Sequence, residues 1–331
     1  MARPRSERVE IAKQKLIARL QDGLHRSGDR FLSNRAIAGQ FAVSYQTADR
    51  LVRELVDEGY LTRRAASGTY VAGRSAKRSG VQLIFDMRAQ REGSFGARLM
   101  KLLHTRLRRE GVDVRVNWSD AHVPIKIGPG RYPILWEAPA TLTEIAGQGG
   151  SALLLNHRAP PGLAALRVDS VAVDDYLGGV CAAQLLMQRV NRKKSIMLIA
   201  GPRGDVRSEL RMNGFLSVMR ADVIHAASWY VEGATLAARA VMDASPAGVF
   251  TCNDRIAQAV IEEAHLRHIS PPPLVGFDDA PIAETLHLTT IAIPWRELVD
   301  AVTSIVTRRM SAQLSTASHT LLAPRPIVRL T

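Results

Sequence analysis

Residues 32–72, LSNRAIAGQFAVSYQTADRLVRELVDEGYLTRRAASGTYVA, decide the fold of the first part of this chain. Ser33 stands ahead of an apolar face of Ile37, Ala38 and Phe41, where an N-cap stands ahead of a short helix. Ala42-Val43 makes a turn. Ser44 then caps a second helix that places Ala48, Leu51, Val52 and Leu55 on one face at helical spacing. Gly59 is positioned to end that helix, because glycine takes the left-handed conformation common after a helix C-terminus. Tyr60-Leu61-Thr62 and Thr69-Tyr70-Val71 are β-prone and bracket Arg63-Arg64-Ala65-Ala66-Ser67-Gly68, a hairpin tip with two cations. Two capped helices and a basic hairpin form a winged helix-turn-helix, a shape that sets one helix N-terminus into a DNA major groove.

A plain helical bundle with a hairpin shares that element order. The outer face of the second helix separates the two readings. Tyr45, Gln46, Thr47, Asp49, Arg50 and Arg53 crowd its start and outward side, and these are partners for base edges and phosphates. The charge distribution agrees. The first 80 residues hold 16 Lys and Arg against 8 Asp and Glu, within a chain of formal net charge +13. Basic charge concentrated on one small domain is what phosphate neutralisation requires.

From residue 9 to 72 the chain resembles the GntR family of bacterial transcription regulators. The resemblance rests on Leu32-Ser33-x-Arg35, Val43-Ser44-x-x-Thr47, Leu55-x-x-Glu58-Gly59-Tyr60-Leu61 and Gly68-Thr69-Tyr70-Val71. It implies a duplex DNA operator as partner, bound by a homodimer. The implied contacts fall on Arg35, Ser44, Gln46, Thr47, Arg50 and the wing residues Gly68 and Thr69, with Ser33 and Tyr45 completing the set. Three positions depart from the family pattern: Tyr45 stands where Arg is usual, Asp49 puts an anion where a neutral or basic residue is commoner, and the wing tip carries Ala66-Ser67. Tyr45-Gln46-Thr47 is similar to the recognition-helix start of lac-repressor-type proteins. Without an Arg for guanine at position 45, Gln46 reading adenine is the expected base contact. Asp49 either accepts from cytosine or pairs with Arg53 one turn on, and the pairing is the favoured expectation.

Beyond a polar, basic tether at 74–80 the pattern changes. Short apolar runs alternate with amphipathic helices: strands at 81–85, 112–116, 132–136, 152–155 and 171–173, with helices near 96–109 and 142–146. The alternation continues with helices near 176–188, 206–219, 234–242 and 254–265, and strands near 195–199, 223, 248–251, 274–277 and 289–293. Residues 121–131, with two prolines and two glycines, read as a loop. Such alternation gives α/β architecture with doubly wound parallel sheets. The domains expected are therefore 1–73, a tether at 74–80, and 81–331.

Residues 81–331 resemble the effector domain of the LacI/GalR repressors, which is periplasmic-binding-protein-like. The marks are Val173-Asp174-x-x-x-Gly178-Gly179, Ile199-Ala200-Gly201, Arg211-x-x-Gly214-Phe215 and Phe250-x-Cys252-Asn253-Asp254-x-x-Ala257. They continue through Val275-Gly276-Phe277-Asp278-Asp279, Leu288-Thr289-Thr290-Ile291 and Pro326-Ile327-Val328-Arg329. A GntR head on such a sensor is similar to the arabinose-repressor subfamily. The resemblance implies two Rossmann-like lobes joined by three crossovers, with a small polar effector such as a sugar in the cleft. It carries ligand contact onto Asn253 and Asp278, puts the family's sugar-binding Arg on Glu209 with Arg207 as a neighbouring substitute, and makes Phe95 an aromatic lining position. Trp136, Trp229 and Trp295 are further candidates for stacking on a sugar ring.

Other classes find little support. There is no His-Glu-x-x-His, no Gly-x-Ser-x-Gly and no phosphate-binding Gly-x-x-x-x-Gly-Lys-Ser/Thr, so no enzyme and no cofactor are expected. Cys181 and Cys252 have no metal-ligand spacing. No apolar run reaches signal-peptide or membrane-spanning length, which leads to the expectation of a cytoplasmic protein without membrane contact.

Overall fold

A computed structural model describes residues 7–21, 25, 28–57, 60–64, 67–71, 79–120, 122–147, 150–157, 168–190, 195–311 and 317–331. Gly59, the wing residues 65–66, residues 72–73 and positions 74–78 of the expected tether lie outside the described residues. Contacts divide the chain into two units, Met1–Ala172 with Val299–Thr320, and Val173–Leu298 with Leu321–Thr331. The chain therefore passes three times from one unit to the other.

The head is built from α1 (Glu7–Gln21), α2 (Asn34–Phe41), α3 (Tyr45–Asp57), β1 (Leu61–Arg64) and β2 (Gly68–Val71). Ser33 caps α2, its hydroxyl accepting from the Ala36 amide at 3.2 Å, and Ser44 caps α3 through the Thr47 amide at 3.1 Å. Ala42 ends α2 in the left-handed region at φ 50°. Ile37, Ala48, Leu51, Val52 and Leu55 are fully buried in one cluster, while Ala38 and Phe41 pack against it from its edge. Helix α1 is an addition to the sequence reading. Its Val9, Ala12, Leu16 and Leu20 form a helical stripe that closes the same core.

The remaining elements follow in chain order. Its first strands and helices are β3 (Gly80–Asp86), α4 (Phe95–Arg109), β4 (Val114–Ser119), β5 (Arg131–Trp136), α5 (Pro139–Gly147), β6 (Ala152–Leu155) and β7 (Val168–Val173). Next come α6 (Asp175–Met187), β8 (Ile196–Ala200), α7 (Val206–Leu216), β9 (Asp222–His225), α8 (Val231–Ala244), β10 (Gly248–Thr251), α9 (Asp254–Leu266), β11 (Leu274–Asp278), α10 (Pro281–Thr285) and β12 (Thr289–Ala292). The chain ends through α11 (Trp295–Met310), β13 (His319–Leu322) and β14 (Arg325–Ile327). Gly80, assigned to the tether by sequence, is instead the first residue of β3, in register with Arg131.

Two six-stranded sheets result, ordered β13-β7-β6-β5-β3-β4 and β14-β12-β11-β10-β8-β9. The pairs from β3 to β7 and from β8 to β12 are parallel, and β12–β14 is antiparallel. Buried parallel strands need apolar side chains on both faces, which is why β6 and β8 read as unbroken apolar runs. Pro326 occupies the edge strand β14, where its missing N–H costs no interior ladder bond.

Helix α11 went unread in the sequence, although Leu298, Val299, Val302, Ile305 and Val306 are buried at helical spacing. Its last turn carries Arg309, which donates to both carboxylate oxygens of fully buried Asp169 on β7 at 2.8 Å each. The Tyr132 hydroxyl and the Ser318 amide also donate to Asp169. One buried carboxylate thus ties β5, β7, α11 and the segment before β13. Removing one partner strands a buried charge, so Asp169→Ala should lower stability by about 3–5 kcal/mol in urea unfolding. A paired Asp169→Leu/Arg309→Met variant should regain most of that loss; equal losses in both would assign the effect to packing instead.

Candidate functional site

The head presents one polar surface. Arg35, Tyr45, Gln46 and Arg50 are exposed, Tyr45 to 56%. Thr47 pairs its hydroxyl with that of Ser44 at 2.8 Å, so the two residues at the start of α3 act as one polar group. In the wing, Arg63 faces Thr69 and Arg64 faces Gly68 across the hairpin. Gly68 has φ 122°, a conformation that favours glycine, and the Arg30 side chain lies where a Cβ would point. Arg64 stacks over the Tyr70 ring at 4.6 Å, and Tyr70 shares a 2.5 Å hydrogen bond with Ser67. Segment 28–31 adds to the wing as a third strip, with Phe31 donating to Thr69 and Val71 donating to Asp29.

Asp49 pairs with Arg53, as expected, but gathers more than that. It also receives Arg63 from β1 and, at 2.8 Å, the Asn34 amide from α2. Hydrogen bonds from Arg63 and then Arg53 hold its carboxyl down at about 2.

In the second unit, Arg207, Arg211, Trp229, Asn253 and Asp278 come together. Helices α6 and α7 meet where Gly179 touches the Arg211 carbonyl and Gly214 touches that of Tyr176, an approach that any side chain would prevent. That approach sets the Arg211 guanidinium against Asp175, to which it donates at 2.7 Å. It donates further to the Cys252 carbonyl at 2.6 Å and to Asp278 at 3.0 Å, and lies 3.7 Å from the centre of the Phe277 ring. Burial works against the Arg211 charge, but Asp175 and Asp278 outweigh it and hold the group protonated.

Asp205 caps α7 through the amides of Arg207 and Ser208 at 2.9 and 3.2 Å. Its other oxygen accepts from Arg207 and from the Trp229 indole, each at 3.1 Å. Burial alone would raise its carboxyl, but Arg207 and these donors win and hold it at about 2. The indole face of Trp229 then stands 5.8 Å from Arg207 and 5.7 Å from Arg211. Asn253 caps α9, accepting from Ile256 at 2.8 Å, and donates to the Trp229 carbonyl at 2.9 Å. An amide NH2 has two hydrogens, so a donor remains for a ligand.

Asp278 and Asp279 both have left-handed backbones, φ 103° and 50°, a strained pairing for non-glycine residues. Neighbours hold it in place. Buried Asp254 accepts from the Ala280 amide at 2.7 Å and from the Thr290 hydroxyl at 2.6 Å, and Arg329 pairs with Asp279 at 2.8 Å. Burial pushes both Asp254 and Asp278 up.

Glu209 is exposed on α7, about 200° around the helix from Arg207. Arg211, four residues from Arg207, occupies the inner position that the sequence reading gave to Glu209. Phe95 belongs to the first unit, where it stacks on Trp136 at 6.3 Å, and Trp136 is 96% buried against Phe85. Trp295 opens α11. Of the three tryptophans, Trp229 adjoins the arginines. The signal for Arg211 was present in sequence, since an i, i+4 pair of arginines shares one helix face.

Cys252 is buried and its thiol is pushed up to about 12 by that burial, which makes it unreactive. Among the described residues no group of three or more His, Cys, Asp or Glu is placed to hold a metal ion, and no helix is long and apolar enough to cross a membrane.

Comparison with known proteins matches residues 8–71 to the bacterial regulatory proteins of the gntR family, and residues 182–331 to the periplasmic binding protein-like domain. The chain thus joins a GntR-type helix-turn-helix domain to a periplasmic-binding-protein-like domain, and its structural neighbours are LacI-family transcription regulators. It is 35% identical over 80 residues to the histidine utilization repressor of Klebsiella aerogenes, covering 24% of this chain and 32% of that one. It is 27% identical over 175 residues to the HTH-type transcriptional regulator DegA of Bacillus subtilis (strain 168), covering 49% and 50%. The chain therefore spans about a third and a half of these curated relatives. The structure of the transcriptional regulator CelR–cellobiose complex is similar in fold, with TM-score 0.63 and 19% identity over 96% of this chain and 98% of that one.

The depressed Asp205 carboxyl predicts a pH effect. A group held below its ordinary 3.8 contributes stability that is present above that value and is lost as pH falls through about 2. The contribution is about 2 kcal/mol. Asp205→Asn should thus be less stable than the wild type at pH 6 and nearly equal to it at pH 2. A constant difference across that range would contradict the assignment.

Proposed function

We propose that this chain is a cytoplasmic, ligand-responsive transcription regulator that represses genes of carbohydrate uptake or use. It binds a duplex DNA operator as a homodimer, through Ser33, Arg35, Ser44, Tyr45, Gln46, Thr47, Arg50 and the wing at Gly68 and Thr69. A small polar effector, in this reading a neutral sugar, is held by Arg207, Arg211, Trp229, Asn253 and Asp278 and lowers operator affinity. The observation that carries the reading is the presence, in one chain, of an exposed cationic helix-turn-helix face and a buried polar cluster around an indole.

The chemistry of each part supports its role. Gln46 can donate and accept at adenine in the major groove, whereas Arg35 and Arg50 offer charge to phosphates. In the cluster, three carboxylates, Asp175, Asp205 and Asp278, face two guanidiniums, Arg207 and Arg211. An arrangement with no cationic excess disfavours an anionic effector and suits hydroxyls, for which an indole face and convergent polar groups are the usual partners. The same carboxylate excess would suit an amine, the second reading.

Operator sequences are obtained by selection from random duplexes and then titrated with and without neutral sugars, their phosphates, purines and polyamines. A sugar should weaken operator binding by a coupling of about 1–3 kcal/mol. Weakening by an amine alone would establish the second reading, and no duplex binding at all would overturn the function. Gln46→Ala should cost about 1–3 kcal/mol on the operator and relax preference at one base position. Arg35→Ala and Arg50→Ala should weaken all duplexes alike and reduce the salt slope by about one unit each. Asp278→Ala should bind operator and ignore the effector.

A further inference from the structure

Asp49 is an anion near the start of α3, set among the groups that would meet DNA. Two roles are open to it there: reading a cytosine directly, or acting on the cations around it. The hydrogen bonds separate the two. Oδ1 accepts from Asn34 Nδ2 and from Arg63 Nη2, and Oδ2 accepts from both Nε and Nη2 of Arg53. A carboxylate has about four lone-pair sites. All four are filled, so a cytosine amino group could bind only by displacing a charged donor for a neutral one, which is a weaker hydrogen bond. The Asp49 side chain is also only 17% exposed, against 68% for Arg53 and 40% for Arg63.

The donors come from three different elements. Asn34 is the first residue of α2, Arg53 lies one turn along α3, and Arg63 is on β1 of the wing. Asp49 therefore joins both helices of the helix-turn-helix to the wing. It also engages two arginines that would otherwise be mobile, long-range phosphate ligands. A guanidinium bound to a carboxylate has its charge offset and its geometry fixed, and contributes less to sequence-independent attraction. Arg35 and Arg50 take no part in this node.

We propose that Asp49 is a specificity-determining residue, which withholds Arg53 and Arg63 from the phosphate backbone and fixes the wing to the recognition helix. Operator choice then rests on Tyr45 and Gln46 rather than on general attraction to DNA. The role lies in discrimination: with Asp49 present, random duplex is bound weakly, and without it the head becomes a stronger and less selective DNA binder. This builds on the DNA-binding function proposed above.

The test uses the full chain and its selected operator, with a random duplex of equal length as competitor, titrated from 50 to 300 mM salt. Asp49→Asn keeps the side-chain shape and removes the charge. It should strengthen binding to random duplex, steepen the salt slope by about one to two units, and reduce the operator-to-random affinity ratio on the order of tenfold. Arg63→Gln supplies the control for folding and for mechanism. In the wild-type background it should leave the slope unchanged, because Arg63 is already engaged. In the Asp49→Asn background it should bring the slope back by about one unit.

Wild-type slope and wild-type ratio in Asp49→Asn would overturn the proposal while leaving DNA binding intact. So would a loss of preference confined to one C·G position with an unchanged slope, which would make Asp49 a direct base reader. A reduced slope for Arg63→Gln in the wild-type background would show that Arg63 holds a phosphate despite Asp49, and would also overturn it. Failure of the wild type to bind either duplex would instead remove the DNA-binding function on which the proposal rests.

Discussion

Arg211 is a full positive charge with a side chain only 4% exposed, and the second unit is arranged around keeping it paired. An unpaired guanidinium at that depth would cost several kcal/mol, so the fold must deliver acceptors from several directions at once. Asp175 arrives from the start of α6, the Cys252 carbonyl from the end of β10, and Asp278 from the end of β11. Each acceptor sits at a strand C-terminus or helix N-terminus, where α/β sheets present their polar groups. The glycine contacts between α6 and α7 serve the same end, since they alone allow the two helices to close on this pair.

The cluster's polar groups follow from that constraint. Holding Asp278 toward Arg211 requires a strained turn, and the strain is contained by Asp254, Thr290 and Arg329. Trp229 is oriented from both ends, its indole nitrogen by Asp205 and its carbonyl by Asn253. Preorganisation of this kind reduces the ordering cost of binding a small ligand. The head shows a parallel at its surface, where Asp49 adds a polar tie between α2, α3 and β1 to the core that they share.

Much of this was legible in the sequence. Caps at Ser33 and Ser44 and the apolar face of α3 are local signals, and each appeared where the residues placed it; the wing strands formed too, but run further into the expected tip, taking in Arg63, Arg64 and Gly68. The buried parallel strands were equally clear, because burial on both faces leaves an unbroken apolar run. Helices α1 and α11 were not read, although both carry apolar stripes. Their stripes are diluted by charge, with two acidic residues in the first turn of α1 and Arg308 and Arg309 in the last turn of α11. Glu209 and Arg207 were named together, but a helix repeats its faces every 3.6 residues, which puts Arg207 and Arg211 on the inner face of α7 and Glu209 on its exposed side. Asp49 pairing with Arg53 was a local i, i+4 relation. Its contacts with Arg63 and Asn34 depend on tertiary folding, and spacing along the chain gave no sign of them.

The proposed function requires the polar cluster around Arg211 in one unit and the exposed helix-turn-helix face in the other to be energetically coupled. Coupling between binding sites is reciprocal by thermodynamic necessity. The most direct measurement is therefore effector affinity for the full chain, free and saturated with operator, followed by titration calorimetry with a neutral sugar that binds. The account predicts that operator weakens sugar binding by the same factor by which sugar weakens operator binding, within a range of roughly 5- to 150-fold. Equal sugar affinity in the free and operator-bound states would contradict it.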